Sequence, residues 1–448
     1  MIKWPTRFTP KSAFGRGVGI LLGSTAIAQS INLLVAPLLT RLYDPAAFGL
    51  LALVAAVISM VTVISSARYE FALSVAIEER ETKGLLALSF LFLFLTVSLL
   101  IILLEFFGKS AASALGVNSI GLLYFLIPAG VLLAGCHQIL TNWTLRNKNF
   151  LLVGRAKLAQ TVGTAVLQLP GSSYGSAGLI GGYVIGLGFG SLAMSAGLKK
   201  RSLLSLGGPA WFYHILRKYK DFPIYSSWSA LFNAASVHLA PIVLFSYYSG
   251  SIAGYYALTL RVLSVPAAFL AKAISGVFLA HAPEAYRDGT LAPLVESLHK
   301  KLGLVGAFAL ALVFLYGPAI FSYAFGEDWA RAGVYARWMA PWLYFQLLWV
   351  PISALPMVLD MQGKALFFDL VAFLFRFGGL LGFALLDASS DVGILYFAVI
   401  SAFVYQLRLL YFVRKARVSI LKWLGLDCGF ISIAFILVGA PLYLAYVV

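Results

Sequence analysis

The chain has 448 residues, 61% of them hydrophobic and only 11% charged, with a mean hydropathy of +0.91. Soluble globular chains carry about 25% charged residues, so no soluble fold of this length covers so much apolar surface; lipid is the solvent for most of it. The formal charge of +16 does not point to nucleic acid, because the basic residues are confined to particular segments.

Thirteen apolar runs follow one another, near 17–39, 46–67, 84–106, 117–140, 151–169, 175–197, 224–247, 253–281, 302–325, 334–358, 364–386, 392–412 and 424–446. Each has the length, about 20 residues, that crosses a hydrocarbon core as a helix. Barrel strands read instead as roughly ten-residue alternating segments, so an all-α integral membrane protein is expected. Ala26-Ile27-Ala28 before Gln29 imitates a signal cleavage site. The apolar run continues to Leu39, however, and has a counterpart later in the chain, so it is read as the first span. With the N-terminus cytoplasmic, 23 Lys and Arg fall in inside segments, and only Arg41, Lys109 and Arg331 fall outside. The positive-inside rule then sets the orientation, with attraction to anionic lipid as a side effect. Outside loops are short, which leaves no room for a loop-built catalytic domain. Cys136 and Cys428 both lie in spans and suggest neither a disulfide framework nor a metal site; no cofactor is expected.

The first and seventh spans look like repeats. Pro37 is preceded at eight and five residues by Gln29 and Asn32, Pro241 by Asn233 and Ser236. Gly49-Leu50-Leu51-Ala52-Leu53 matches Gly254-Tyr255-Tyr256-Ala257-Leu258. Gly154-Arg155-Ala156 and Gly363-Lys364-Ala365 follow after 105 and 109 residues. We read a cytoplasmic N-terminus 1–16, an N-lobe 17–197, a basic cytoplasmic linker 198–223, a C-lobe 224–412, and a C-terminal segment 413–448 with a thirteenth helix outside the repeat. Six spans per lobe make these parallel repeats.

Gly108-Lys109-Ser110 resembles the end of a phosphate-binding loop, but Leu103 stands where glycine is required. ATP-driven transport is therefore dismissed. Gly178, Gly182, Gly186 and Gly190 form a small-residue stripe suited to close helix packing. Seven cations lie within spans, where charge is costly and usually faces a cavity or partner. Arg337, Arg408, Arg155 and Lys157 are near enough to an interface to snorkel. Arg261, Lys272 and Arg376 are deeper, Arg376 about 18 Å into its span. A buried ion pair holding helices together is the alternative role. Asp369 precedes Arg376 by seven residues, too far for contact within the helix, so each needs another partner or a wet cavity. Arg68-Tyr69-Glu70 comes nineteen residues after Gly49, and Lys272 eighteen after Gly254. Paired cations at similar depth suit a diphosphate or other anionic headgroup; otherwise Arg68 is an ordinary loop cation. Ser24, Thr25, Gln29 and Asn32 on the first span, and Ser229, Asn233, Ser236 and His238 on the seventh, make polar stripes. These stripes could bind sugar hydroxyls or bond helix to helix. Asp369, Glu70 and His238 are the titratable candidates for proton or cation coupling.

Gly23-Ser24-Thr25-Ala26-Ile27-Ala28-Gln29, Pro37-Leu38-Leu39-Thr40-Arg41-Leu42-Tyr43, Phe48-Gly49 and Arg68-Tyr69-Glu70 resemble the N-terminal signature of bacterial polysaccharide flippases, the Wzx-type O-antigen and exopolysaccharide transporters. Tyr219-Lys220-Asp221-Phe222-Pro223, Ala253-Gly254-Tyr255-Tyr256-Ala257-Leu258 with Arg261 and Pro266, and Phe325-Gly326-Glu327-Asp328-Trp329 extend the match. The resemblance implies the multidrug, oligosaccharidyl-lipid and polysaccharide exporter superfamily, with two six-helix lobes in a V around a central, usually cationic cavity. It implies alternating-access movement of undecaprenyl-pyrophosphate-linked oligosaccharide across the bacterial inner membrane, coupled to protons or sodium. Polymerase and chain-length proteins are implied partners. That family has no invariant site motif to transfer, so the residue assignments rest on depth and repeat position; the thirteenth span departs from the common twelve or fourteen. A multidrug cation antiporter of the same superfamily would want acidic residues in its cavity, and deep cations outnumber deep acids here. A polymerase or ligase would want a large outside loop. A non-transporting polysaccharide-assembly protein is the remaining alternative.

Overall fold

The computed structural model describes residues 13–73, 76, 78–117, 121, 123–195, 209–220 and 222–447. They form seventeen α-helices and, among the described residues, no strand. Among the described residues each of the thirteen expected spans coincides with helix, and eleven helices are long and apolar enough to cross a membrane by length and composition. The chain divides into two compact units, Met1–Ala253 and Gly254–Val448.

The first unit contains α1 (Ala13–Leu42), α2 (Pro45–Ser65), the one-turn α3 (Tyr69–Ala72), α4 (Glu79–Ala114), α5 (Leu123–Arg146), α6 (Phe150–Gln168), α7 (Ser176–Ser195), α8 (Pro209–Lys218) and α9 (Ser227–Val243). Asp44 caps α2 by accepting the Ala47 N–H at 2.7 Å, with Pro45 in the first turn, where its missing N–H costs nothing. The stripe on α7 packs as its spacing suggests. Gly178 lies against Gly171, Gly182 against Gln168, Gly186 against Thr164, and Gly190 against His137 and the Ala156 carbonyl. A β-carbon at any of these four would collide, so the stripe is what lets the backbones of α6 and α7 approach.

Two segments differ from expectation. The span expected at 117–140 is shifted to Leu123–Arg146, because Arg146 extends the helix past its apolar run by donating to the carbonyls of Leu73 at 2.8 Å and Ala76 at 2.5 Å. The segment expected as a linker, 198–223, contains α8. Its Trp211 and Ile215, one turn apart, pack against Gly84 of α4. Lys218 pairs with Glu81, and the Tyr219 hydroxyl donates to Glu81 Oε2 at 2.9 Å. Lys109 is inside α4, where it was expected in a loop.

The second unit contains α10 (Gly250–Arg287, from Gly254 on), α11 (Leu291–Phe325), α12 (Ala330–Trp349), the short α13 (Leu355–Val358), α14 (Gln362–Phe373), α15 (Gly379–Leu385), α16 (Ser390–Lys415) and α17 (Ile420–Val447). Its core joins α11, α12, α16 and α17 through buried Tyr344, Leu348, Trp349, Phe412 and Trp423. The expected thirteenth span is α17. Among the described residues, three π turns interrupt the α-helices, at Phe222–Ser226, Leu244–Tyr248 and Leu374–Gly378.

Candidate functional site

In the first unit, α2 ends at Ser65, and Ala67 and Arg68 then take left-handed backbone angles, φ 50° and 61°. Such angles cost a non-glycine residue on the order of 1–3 kcal/mol. The turn carries Glu70 into the interior, where it is fully buried. Glu70 accepts a hydrogen bond from the Ser66 hydroxyl and another from Gln138 Nε2 at 2.6 Å. Arg68 Nη1 lies 3.7 Å from its Oε1, and the guanidinium sits 4.2 Å over the Phe71 ring. Arg68 is thus committed to Glu70 rather than standing as a solvated loop cation. Both residues lie between spanning helices. Burial pushes the Glu70 carboxyl above its ordinary range, against the opposing pull of Ser66, Gln138 and Arg68. Burial also lowers Arg68, with Glu70 opposing.

The polar stripe of α1 is divided. Ser24 is buried against Gly154 and donates to the Leu21 carbonyl at 3.1 Å. Thr25 accepts from Lys157 Nζ at 3.1 Å. Two members therefore bind α1 to α6, and Lys157 points inward rather than snorkelling. Gln29 and Asn32, further along α1, are half-exposed, as is His238 on α9. The side chains of Ser229, Asn233, Ser236 and Lys272 lie outside the described residues.

In the second unit Arg376 occupies the centre of the π turn Leu374–Gly378. Its guanidinium stands 5.6 Å from the Trp342 ring and 5.0 Å from the Tyr405 ring, on α12 and α16. Its Nε is buried with no hydrogen-bond partner, as are Trp342 Nε1, Ser401 Oγ and Gln406 Oε1 on the same two helices. A buried polar atom left unpaired costs about 1–3 kcal/mol. An unpaired Arg376 Nε–H beside a π turn, a frequent feature of functional sites, is what a polar ligand would satisfy. Asp369 has its own partner: Arg408 Nη1 reaches its Oδ1 at 2.5 Å while the guanidinium lies 4.4 Å over Trp349. Arg261 sits in the twelfth position of α10, half-buried.

Sequence reading missed one cluster. His299 on α11 and Asp427 on α17 are both buried, with Nε2 2.8 Å from Oδ1. The Tyr344 hydroxyl of α12 donates to the same oxygen at 2.5 Å. The His299 ring stacks on Trp423 at 3.6 Å and 8°, and Lys422 pairs with Glu296 at 2.5 Å nearby. The only sequence signal was an aspartate inside an apolar run.

These features define a multi-pass helical membrane protein with guanidinium and carboxylate clusters held inside its helix bundles. The chain belongs to the polysaccharide biosynthesis protein family, whose model matches residues 38–333. No curated protein matches it. Among solved structures it is similar to one described as the lipid II flippase MurJ in an inward closed conformation, at 15% identity and a TM-score of 0.73, over 93% of this chain and 91% of that one. It is also similar to an inward-facing multidrug resistance MATE family transporter of the MOP superfamily, at 14% identity and a TM-score of 0.54, over 91% and 95%. The Vibrio cholerae MATE transporter VcmN matches at 15% and 0.53, over 90% and 96%. At such identities the likeness is one of fold. That fold is the class the sequence led us to expect, all-α with twelve spans and a further C-terminal helix.

Proposed function

We propose that this chain is a flippase, not an enzyme, moving undecaprenyl-pyrophosphate-linked oligosaccharide, an O-antigen or exopolysaccharide repeat unit, across the bacterial inner membrane. The observation that carries the reading is Arg376, a guanidinium deep in a spanning segment whose aromatic neighbours leave its Nε–H without an acceptor. Membership of a polysaccharide family supplies the saccharide. In the second unit Arg376, with Arg261 and Lys272, offers donors to the diphosphate. In the first unit Gln29, Asn32, Asn233 and Ser236 offer hydrogen bonds to sugars, and Arg68 supplements the cations. Transport proceeds by alternating exposure to the two leaflets, driven by protons or sodium, with Glu70, Asp369 and His238 as the coupling groups. Polymerase and chain-length proteins take up the product. A multidrug cation antiporter would want acidic residues lining its cavity, and in this chain deep cations outnumber deep acids.

The test is leaflet exchange of lipid-linked oligosaccharide in vesicles containing the purified chain. A charge-assisted hydrogen bond is worth about 1.5–3 kcal/mol, so Arg261→Ala, Lys272→Ala and Arg376→Ala should each slow exchange about tenfold or more. Wild-type rates in all three would overturn the site. No exchange by the unmodified protein would overturn the function.

A further inference from the structure

The turn from α16 to α17 joins two spanning helices, so it stands at a membrane surface. It is closed by the Arg417 N–H on the Arg414 carbonyl at 3.0 Å and the Val418 N–H on the Val413 carbonyl at 3.1 Å. Arg417 takes φ 63° at the position where glycine usually ends a helix. Ala416 and Val418 are buried, and Arg414, Lys415 and Arg417 are exposed. No aspartate or glutamate occurs from 392 to 426. A fourth cation, Lys422, is paired with Glu296, and Lys415 stands 5.9 Å over the Tyr411 ring. Among the described residues none of the three turn cations has an ion pair. At the other end of α16, by contrast, Asp391 is matched by Arg331.

Directly below the turn, one face of α17 is open. Leu421, in its first turn, is 84% exposed, and Gly425, Cys428 and Ser432 follow on the same face, all exposed. A β-carbon at Gly425 or Gly429 would meet nothing within 4 Å. A soluble anion would use the cations and leave this face bare. A second copy docked in parallel on the same face would bring two sets of three cations together without an acid between them. An anionic phospholipid uses both features, since basic clusters at a membrane surface attract acidic headgroups and a flat helix face admits an acyl chain. We propose that the α16–α17 turn is a binding site for an anionic phospholipid. Its phosphate lies at Arg414, Lys415 and Arg417, and an acyl chain runs down α17. One leaflet holds about 15 Å of hydrocarbon, roughly the rise from Leu421 to Ser432. The occupant is a resident of the bilayer rather than cargo, so the assignment stands apart from the flippase reading.

The test uses the full chain in phosphatidylcholine vesicles containing a trace of phosphatidylglycerol with a photoreactive diazirine on one acyl chain. The control carries the same acyl chain on phosphatidylcholine. Phosphatidylglycerol should label 421–432 at least tenfold more than the control. A basic residue near a membrane surface contributes about fivefold. Arg417→Gln should therefore lower phosphatidylglycerol labelling about fivefold, and Gln at 414, 415 and 417 together should reduce it to the control level. Arg417→Gly, which suits the left-handed angle, serves if the Gln variant fails to fold. Gly425→Leu blocks the open face and should also lower the label, with all three cations in place. Equal labelling by the two lipids, label confined to other helices, or undiminished label in the folded charge variants overturns the proposal. Loss of the preference in inorganic phosphate, but not in chloride of equal ionic strength, assigns the turn to a soluble anion and overturns it too. Chain dimers cross-linked through Cys428, with no lipid label on 421–432, give the face to a second copy and do the same.

Discussion

Asp427→Ala should be among the most destabilising single changes in the second unit. The carboxylate only accepts hydrogen bonds, so His299 Nε2 and the Tyr344 hydroxyl, 2.8 and 2.5 Å from Oδ1, both donate to it. Truncation leaves two buried donors without acceptors at about 1–3 kcal/mol each, or roughly 2–6 kcal/mol together. Membrane interiors temper this figure, because the unfolded chain also finds partners there. Double-mutant cycles between membrane helices average about 0.6 kcal/mol and reach about 1.7. The Asp427 side chain is buried and Oδ1 takes both contacts, so the Tyr344–Asp427 coupling belongs near the top of that range, about 1.5 kcal/mol. The assay is a cycle of Asp427→Ala, Tyr344→Phe and the double variant, unfolded reversibly in mixed detergent–lipid micelles. Fluorescence of Trp423, stacked on His299, should change in the aspartate variant. A coupling below about 0.5 kcal/mol, at the low end for membrane pairs, would show that packing alone seats α17 and that the polar triad contributes nothing.

Glu70→Gln should flatten the pH dependence of thermal stability. Burial raises the folded-state carboxyl above its ordinary 4.5. Its contribution is therefore full below pH 4.5 and lost as pH climbs through the raised value. The melting temperature of the Gln variant minus that of the wild type should grow with pH above 4.5; a constant or shrinking difference would contradict the burial argument. Gly186→Val, against Thr164, should cost about 1–3 kcal/mol by overpacking. Gly181→Val on the same helix, with no atom within 4 Å, should cost far less in the same detergent melt, and equal losses would remove the stripe's role. Arg376→Lys keeps charge but loses the planar group facing Trp342 and Tyr405. Leaflet exchange should slow about tenfold, the equivalent of about 1.4 kcal/mol, and an unchanged rate would show that charge alone suffices.

Helix content and class were legible because they depend on run length and composition, which need no knowledge of contacts. The glycine stripe was legible for the same reason: its spacing names the face, although not the partners Thr164, Gln168 and His137. The clusters were not legible, since their members are distant in sequence. His299 and Asp427 are 128 residues apart, Thr25 and Lys157 are 132 apart, and Asp369 and Arg408 are 39 apart. No periodicity links such pairs. Arg68-Tyr69-Glu70 was visible as a word, but its meaning depends on two left-handed residues that turn Glu70 inward, and Ala67 and Arg68 carry no glycine to announce them. Helix α8 escaped because ten residues with an apolar pair one turn apart are too few to read as a span.

The π turn beneath Arg376 holds one residue more than an α-helix of equal rise. Each residue advances a helix by about 100°. Shifting that surplus along the backbone would therefore swing the guanidinium about a quarter-turn, with only a turn's worth of hydrogen bonds exchanged. Such a shift in the segment from Gln362 to Leu385, whose π turn closes on Gly378 and Gly379, would re-aim a charge without a proline.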